Sequence, residues 1–217
     1  MKIGLLGGCF NPVHNGHLRL ALEAGEGLGL DRVELVPAGV PPHKSGEGML
    51  PFALRAELCE AAIAGLDLLS VNRLEGERGG PSYTVDTLTT LSVERPGDEF
   101  TFILGSEDLL ALPGWHRGLV IPGLVNIAVA GRRAGGLEAV RGFVARTWPG
   151  AVALDQTSWH LPEGTSLTWV PAGRLDISAS DIRTRWLVGQ AIRGLTPVAV
   201  EQLLAERADE VKSIWGV

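Results

Sequence analysis

One segment constrains the fold more than any other. Lys2 to Leu6 is a short apolar run ending in Gly7-Gly8, followed by Cys9-Phe10-Asn11-Pro12-Val13-His14-Asn15-Gly16-His17-Leu18. The run reads as a buried strand entering a glycine turn. Behind it, Leu18, Leu20, Ala21, Leu22 and Ala24 supply apolar positions for a helix from about Gly16 to Glu26, which Gly25, Gly27 and Gly29 are expected to stop. Two histidines therefore stand three apart where a helix begins. Backbone amides at a turn and at a helix N-terminus point donors at an anion, glycines admit close approach, and imidazoles can donate to oxygens that gain charge during a reaction.

The glycines alone are weak evidence, because the segment is neither GxGxxG nor GxxxxGK[ST]. The composite carries the reading. A plain turn with His14 and His17 as helix caps would leave most of these phosphate-compatible features unused. Two histidines without a third ligand at a recognisable spacing make an incomplete zinc site. Cys9 near His14 could suggest a thiol nucleophile, but a lone small residue in a tight turn is more often packing.

Further along, Arg32 to Pro37 reads as a second strand, Phe52 to Leu66 as a helix and Leu69 to Leu74 as a third strand. Ser82 to Val93 shows Val85, Leu88 and Leu91 at helical spacing after a hydroxyl-rich start suited to capping. Phe100 to Leu104 and Asn126 to Ala130 are apolar runs bounded by glycine, and Leu137 to Thr147 reads as a helix before a short strand at Ala151 to Leu154. Leu167 to Pro171 looks like a last strand and Ser180 to Val188 a helix. Thr196-Pro197 is expected to open a terminal helix with Thr at the cap and Pro in the first turn. Strands alternating with helices predict an α/β fold, a mostly parallel sheet covered on both faces. No linker, repeat or low-complexity stretch divides the chain, so the expectation is one domain over 1–217, with a core at 1–172 and a small C-terminal helical part at 173–217.

Charge and cysteine content narrow the partners. A net charge of −6 gives no global reason to expect a long nucleic acid, so any phosphate must be met locally. The sequence starts a strand within three residues, without a signal-peptide pattern, and no run is long enough to cross a bilayer. The expectation is a cytoplasmic protein away from membranes, its oligomeric state left open. Two cysteines, Cys9 and Cys59, make no disulfide framework or CxxC zinc pair.

Gly7 to His17 resembles the GGxFNPxHxGH signature of the nucleotidyltransferase family that includes nicotinate-nucleotide adenylyltransferase. Pro41-Pro42-His43-Lys44, Pro81-Ser82-Tyr83-Thr84, Ile103-Leu104-Gly105-Ser106-Glu107, Pro113-Gly114-Trp115-His116, Gly131-Arg132-Arg133 and Ile177-Ser178-Ala179-Ser180-Asp181-Ile182-Arg183 resemble further blocks of that family, in its order. The resemblance covers nearly the whole chain. Three positions depart from it: the family usually has a hydroxyl residue where Cys9 stands, Asp where Glu107 falls, and often Tyr where this chain has His116.

The resemblance implies a Rossmann-like, doubly wound sheet and adenylyl transfer from ATP to nicotinate mononucleotide, with Mg2+ arriving on ATP and no dedicated metal site. It implies His14, His17, Lys44 and Arg183 as catalytic residues. Gly7, Gly8, Cys9, Phe10, Gly16, Gly105, Glu107, Ile177 and Ser178 would join His14, His17 and Arg183 in binding ATP. Asn11, Lys44, Ser82, Tyr83, Thr84, Trp115, His116 and Arg132 would bind the mononucleotide. Lys44 sits in a loop opened by two prolines, where a solvated lysine is the plain alternative; Arg183 could equally be a surface ion-pair partner. Ser178 or Ser180 can cap the helix that bears Arg183. Rival readings are another phosphate acceptor, nicotinamide mononucleotide first among them, a nucleotide-binding regulatory module without turnover, and a nucleotide pyrophosphatase.

Overall fold

Strands buried on both faces organise the chain. In a computed structural model, which describes residues 1–42, 47–131, 134–173 and 175–216, β1 (Lys2–Gly8), β2 (Arg32–Pro37), β3 (Leu69–Val71), β4 (Glu99–Gly105) and β5 (Asn126–Gly131) are followed by β6 (Val152–Ala153), β7 (Ser158–His160) and β8 (Ser166–Pro171). Their order in the sheet is β3-β2-β1-β4-β5-β8-β7-β6. β1 pairs with β4, β4 with β5 and β5 with β8, all parallel, while β7 and β6 add an antiparallel edge. Buried stretches such as Ile3 to Leu6 and Phe100 to Leu104, the latter apolar but for Thr101, suit strands covered above and below. The α/β, mostly parallel, Rossmann-like architecture expected from the sequence is the one observed.

The helices are α1 (Asn15–Leu28), α2 (Phe52–Ile63), the single turn α3 (Leu74–Glu77), α4 (Thr84–Glu94), α5 (Ser106–Ala111), α6 (Ala134–Thr147), α7 (Ala179–Leu187), α8 (Val198–Glu206) and α9 (Ala208–Trp215). Two 3-10 turns, Leu112–Gly114 and Gly118–Gly123, follow α5. None of the described helices is long and apolar enough to cross a membrane.

Several local expectations need correction. Gly25 and Gly27 lie inside α1, and only Gly29, at φ +59°, ends it. There the Leu30 N–H donates to Gly25 O at 2.9 Å and the Gly29 N–H to Glu26 O at 3.3 Å, the paired bonds of a Schellman stop that wants a left-handed residue. α4 has Tyr83 as its cap residue and no side-chain cap; the Ser82 hydroxyl instead accepts the Val40 N–H at 3.1 Å. Pro197 is the cap residue of α8, and the Thr196 hydroxyl is buried without a partner. The terminal helix is two helices, broken at Arg207. The sequence reading also passed over α3, α5, both 3-10 turns and β7.

The chain groups into two compact units interleaved in sequence: Met1–Leu6, Leu20–Glu34 and Tyr83–Gly173 in the first, Gly7–Arg19, Leu35–Ser82 and Arg174–Val217 in the second. In the first, Val85, Leu88 and Leu91 of α4 and Val140, Phe143 and Val144 of α6 are buried with the apolar residues of β4, β5 and β8. In the second, α2 packs on α8, and α9 contributes Val211 and Trp215 to the core. The Trp186 ring meets Trp215 edge-on at 5.5 Å.

Candidate active site

The second unit holds Gly7 to Leu18 of the segment singled out above. β1 ends at Gly8, Phe10 takes φ 45° and is 1% exposed, and α1 starts at Asn15. The two imidazoles are stacked, centroids 3.6 Å apart at 23°, and the Phe10 ring meets His17 edge-on at 4.9 Å. His17 is thus clamped on two sides before any ligand arrives.

Hydrogen bonding fixes what His17 can do. The backbone N–H of His14 donates to His17 Nδ1 at 3.2 Å, so that nitrogen is the acceptor and the neutral ring carries its proton on Nε2. Burial pushes the His14 pKa down to about 4. Burial, and then the neighbouring His14, hold His17 well below 6.5. At neutral pH both rings are uncharged, so each can offer an N–H donor to an anion. His14 Nδ1 is buried with no hydrogen-bond partner. Gly16 lies against it: a Cβ added there would stand 3.0 Å from His14 Nδ1, tighter than ordinary contact, which is a steric reason for glycine between the histidines.

The C-terminal segment completes this neighbourhood. Arg183 Nη1 donates to Asn11 O at 2.8 Å and Nη2 to Ser180 Oγ at 3.2 Å. Ser178 caps α7 as expected, accepting the Asp181 N–H at 3.1 Å, so the pair of serines divides into a cap and an arginine support. Ile177 is the side chain nearest Gly16 from this segment. The Asn15 N–H donates to Leu195 O and its Nδ2 to Gly194 O, both at 2.9 Å.

Asn11 is 4% exposed, and its side chain faces inward to the protein. Nδ2 donates to Gly48 O at 2.7 Å, while Oδ1 accepts the Leu50 N–H at 3.1 Å and Trp215 Nε1 at 3.4 Å. The sequence reading gave Asn11 to the mononucleotide; its side chain joins the turn after β1 to the strand–helix connection that follows β2. Sequence reasoning missed Arg55 altogether. It lies in α2, is 1% exposed, and donates to carbonyls of Leu50, Cys9, Ala38 and Gly39. Its one signal was an arginine directly after Phe52-Ala53-Leu54 in a mostly apolar helix.

The first unit holds a second group. Tyr83, at the start of α4, lies 4.2 Å from the His116 ring, tilted by 31°. Trp115 is partly exposed and meets Phe102 edge-on at 6.3 Å. Gly105 precedes α5, and Glu107 is exposed in its first turn. Asp108, which the sequence reading passed over, has its carboxyl raised by burial although it accepts a bond from the Gly105 backbone. The structure brings His14, His17, Gly16, Ile177 and Arg183 together in one unit, and Tyr83 with His116 in the other. Lys44 and Arg132, with His43 and Arg133, lie outside the described residues. Among the described residues no three His, Cys, Asp or Glu side chains group to hold a metal ion.

Comparison with known proteins places this arrangement. Residues 5–185 match the family model described as cytidylyltransferase-like. A protein of Geotalea daltonii named "Probable nicotinate-nucleotide adenylyltransferase" is 41% identical over 214 residues, covering 95% of this chain and 97% of that protein. One of the same name from Geobacter metallireducens is 42% identical over 214 residues, with the same coverage of 95% and 97%. Among solved structures, the nicotinic acid mononucleotide adenylyltransferase of Plasmodium falciparum complexed with NaAD shares the fold at a TM-score of 0.69 and 16% identity, covering 95% of this chain and 96% of that one. At that identity and coverage the chain belongs to the cytidylyltransferase-like family and, within it, to the nicotinate-nucleotide adenylyltransferases.

Proposed function

We propose that this protein transfers the AMP moiety of ATP to nicotinate mononucleotide, giving nicotinate adenine dinucleotide and pyrophosphate, a late step of NAD biosynthesis. The observation that carries the proposal is the clamped, uncharged histidine pair at the start of α1. It occurs in a chain related over nearly its full length to proteins named for this reaction.

A 5′-phosphate oxygen of the mononucleotide attacks the α-phosphorus of ATP, the bond to the bridging oxygen breaks, and pyrophosphate departs. The attacking phosphate is already ionised near neutral pH, so a strong base would add little; positioning and charge stabilisation supply the acceleration. His17 Nε2–H and the His14 imidazole donate to the phosphate oxygens that gain charge. Arg183 turns its remaining N–H groups to the triphosphate, and Lys44 is assigned to the same anion. Gly7, Gly8 and Gly16 let the chain approach it closely, with the backbone of Cys9 and Phe10. Gly105, Glu107, Ile177 and Ser178 are assigned to ATP as well.

The mononucleotide falls to Ser82, Tyr83, Thr84, Trp115, His116 and Arg132, the aromatic side chains offering flat faces to a pyridine ring. Magnesium comes as part of the MgATP substrate, held by phosphate oxygens. The protein is assigned to the cytoplasm, where both substrates are available.

Purified protein incubated with MgATP and equal concentrations of nicotinate and nicotinamide mononucleotides, with pyrophosphate and both dinucleotides quantified, tests this. Helix N-terminal amides and hydroxyl donors favour a carboxylate over an amide, so the acid should be preferred by at least about ten- to hundredfold, the effect of one mismatched polar contact of roughly 1–3 kcal/mol. Equal use of both would replace the acceptor. No pyrophosphate with either would leave only a binding module.

A further inference from the structure

We propose that Arg55 is a positioning residue for the phosphate-binding turn, setting the peptide plane between Cys9 and Phe10 so that the Phe10 N–H is presented to the anion. The proposal rests on the reading that His14 and His17 serve a phosphate.

A cation on the buried face of a helix is costly unless its donors are met, and an apolar side chain would fill α2 as well as Leu54 or Leu58 do. Arg55 nevertheless stands there, and its guanidinium links three separate stretches of chain. Nε donates to Leu50 O at 2.9 Å, Nη1 to Cys9 O at 2.8 Å, and Nη2 to Ala38 O at 2.7 Å and Gly39 O at 3.2 Å. The carbon of the fork also lies 5.7 Å from the centroid of the Phe52 ring.

These contacts have a directional consequence. In a trans peptide the carbonyl and the following N–H point opposite ways, and the described cis bond is the one between Asn11 and Pro12. Turning Cys9 O onto Arg55 therefore turns the Phe10 N–H away from it. The same geometry is visible at Ala38: its carbonyl accepts from Arg55, and the following Gly39 N–H points to Glu75 Oε2 at 3.4 Å. Arg55 also brings a fixed positive charge directly behind a turn meant for an anion. A lysine, with one nitrogen on a flexible stem, cannot reach all four carbonyls at once.

The test compares wild type with Arg55→Lys and Arg55→Met, each checked for folding by circular dichroism and thermal melting. A displaced donor should lower kcat by about ten- to hundredfold, with KM for the mononucleotide changed by less than about threefold. A role confined to stability would lower the melting temperature and leave kcat per folded molecule intact.

In parallel, the Phe10 amide of 15N-labelled wild type is followed during titration with inorganic pyrophosphate. It should shift to saturation, and the Arg55 Nε–H should titrate at the same midpoint. A folded Arg55→Lys with wild-type kcat overturns the proposal, and so does a Phe10 amide that does not move, even if neither variant folds. Failure of wild type itself to form dinucleotide would count against the proposed reaction, while the pyrophosphate titration still decides the role of Arg55.

Discussion

Replacing His17 by alanine removes one N–H donor from a ring that is already immobilised. The His14 amide holds Nδ1 at 3.2 Å, the His14 ring stacks at 3.6 Å and the Phe10 edge closes the other side at 4.9 Å. Because nothing has to reorganise as charge develops on a phosphate oxygen, the donor acts at nearly full strength in the transition state. Removing one such preorganised donor costs about 2.7–4 kcal/mol, or roughly 10²–10³ in kcat, with a smaller change in KM. The tautomer makes the experiment sharper. Glutamine can place an amide N–H near the position of Nε2, whereas asparagine reaches only the Nδ1 position, where its oxygen can accept the His14 N–H but no donor replaces Nε2–H. The expected order of kcat is wild type, then His17→Gln, then His17→Ala with His17→Asn no better. The assay is pyrophosphate release at saturating MgATP and nicotinate mononucleotide, on variants shown to melt cooperatively. A folded His17→Ala with near-normal kcat would refute the phosphate role, and His17→Asn outperforming His17→Gln would refute the tautomer.

The buried His14 makes stability depend on pH. Its imidazole titrates at about 4 in the folded protein, against 6.5 when exposed, so between those values the unfolded chain binds more protons. Its contribution is complete above about pH 6.5 and is lost as pH falls towards 4, by about 3 kcal/mol in all; urea unfolding at several pH values should show a shallower dependence in His14→Gln, and equal slopes would contradict this. Gly16→Ala should keep or raise the melting temperature, since alanine favours helix, yet lower kcat by roughly tenfold by displacing the His14 ring; unchanged kcat would show that the ring can yield harmlessly. Asn11→Ala should destabilise the fold by about 1–3 kcal/mol, because it strips partners from Gly48 O and the Leu50 N–H. A raised KM for the mononucleotide with an unaltered melting point would instead return Asn11 to the substrate.

The sheet was legible in the sequence because its central strands are buried on both faces and so appear as largely apolar runs. β7 was not, since Ser158–His160 is three residues long and set by antiparallel pairing to β8. The glycines of α1 misled for a physical reason: Gly25 and Gly27 are tolerated within a helix whose Leu18, Ala21 and Ala24 are buried, and the stop is made by the one glycine at positive φ. Within the site, His14, His17 and Arg183 were readable as side chains with chemistry at the right local positions. Arg55 was not, because its four acceptors are backbone carbonyls, and carbonyls leave no mark in a sequence. The same holds for Asn11, whose partners Gly48, Leu50 and Trp215 are known only from the tertiary fold.

The ties between the start of α1 and residues 183 to 215 bear on when this segment is braced. Arg183 reaches Asn11 across 172 positions, Asn15 reaches Gly194 across 179, and Trp215 reaches Asn11 across 204. Contacts this distant in sequence form slowly and close last. During synthesis the histidine segment leaves the ribosome well before Arg183, Gly194 and Trp215, the groups that brace it. A nascent chain that has not yet released Gly194 has no acceptor for the Asn15 side chain and, before Arg183, no guanidinium on Asn11. The braced form of the histidine segment is thereby deferred until residues 183 to 215 have emerged.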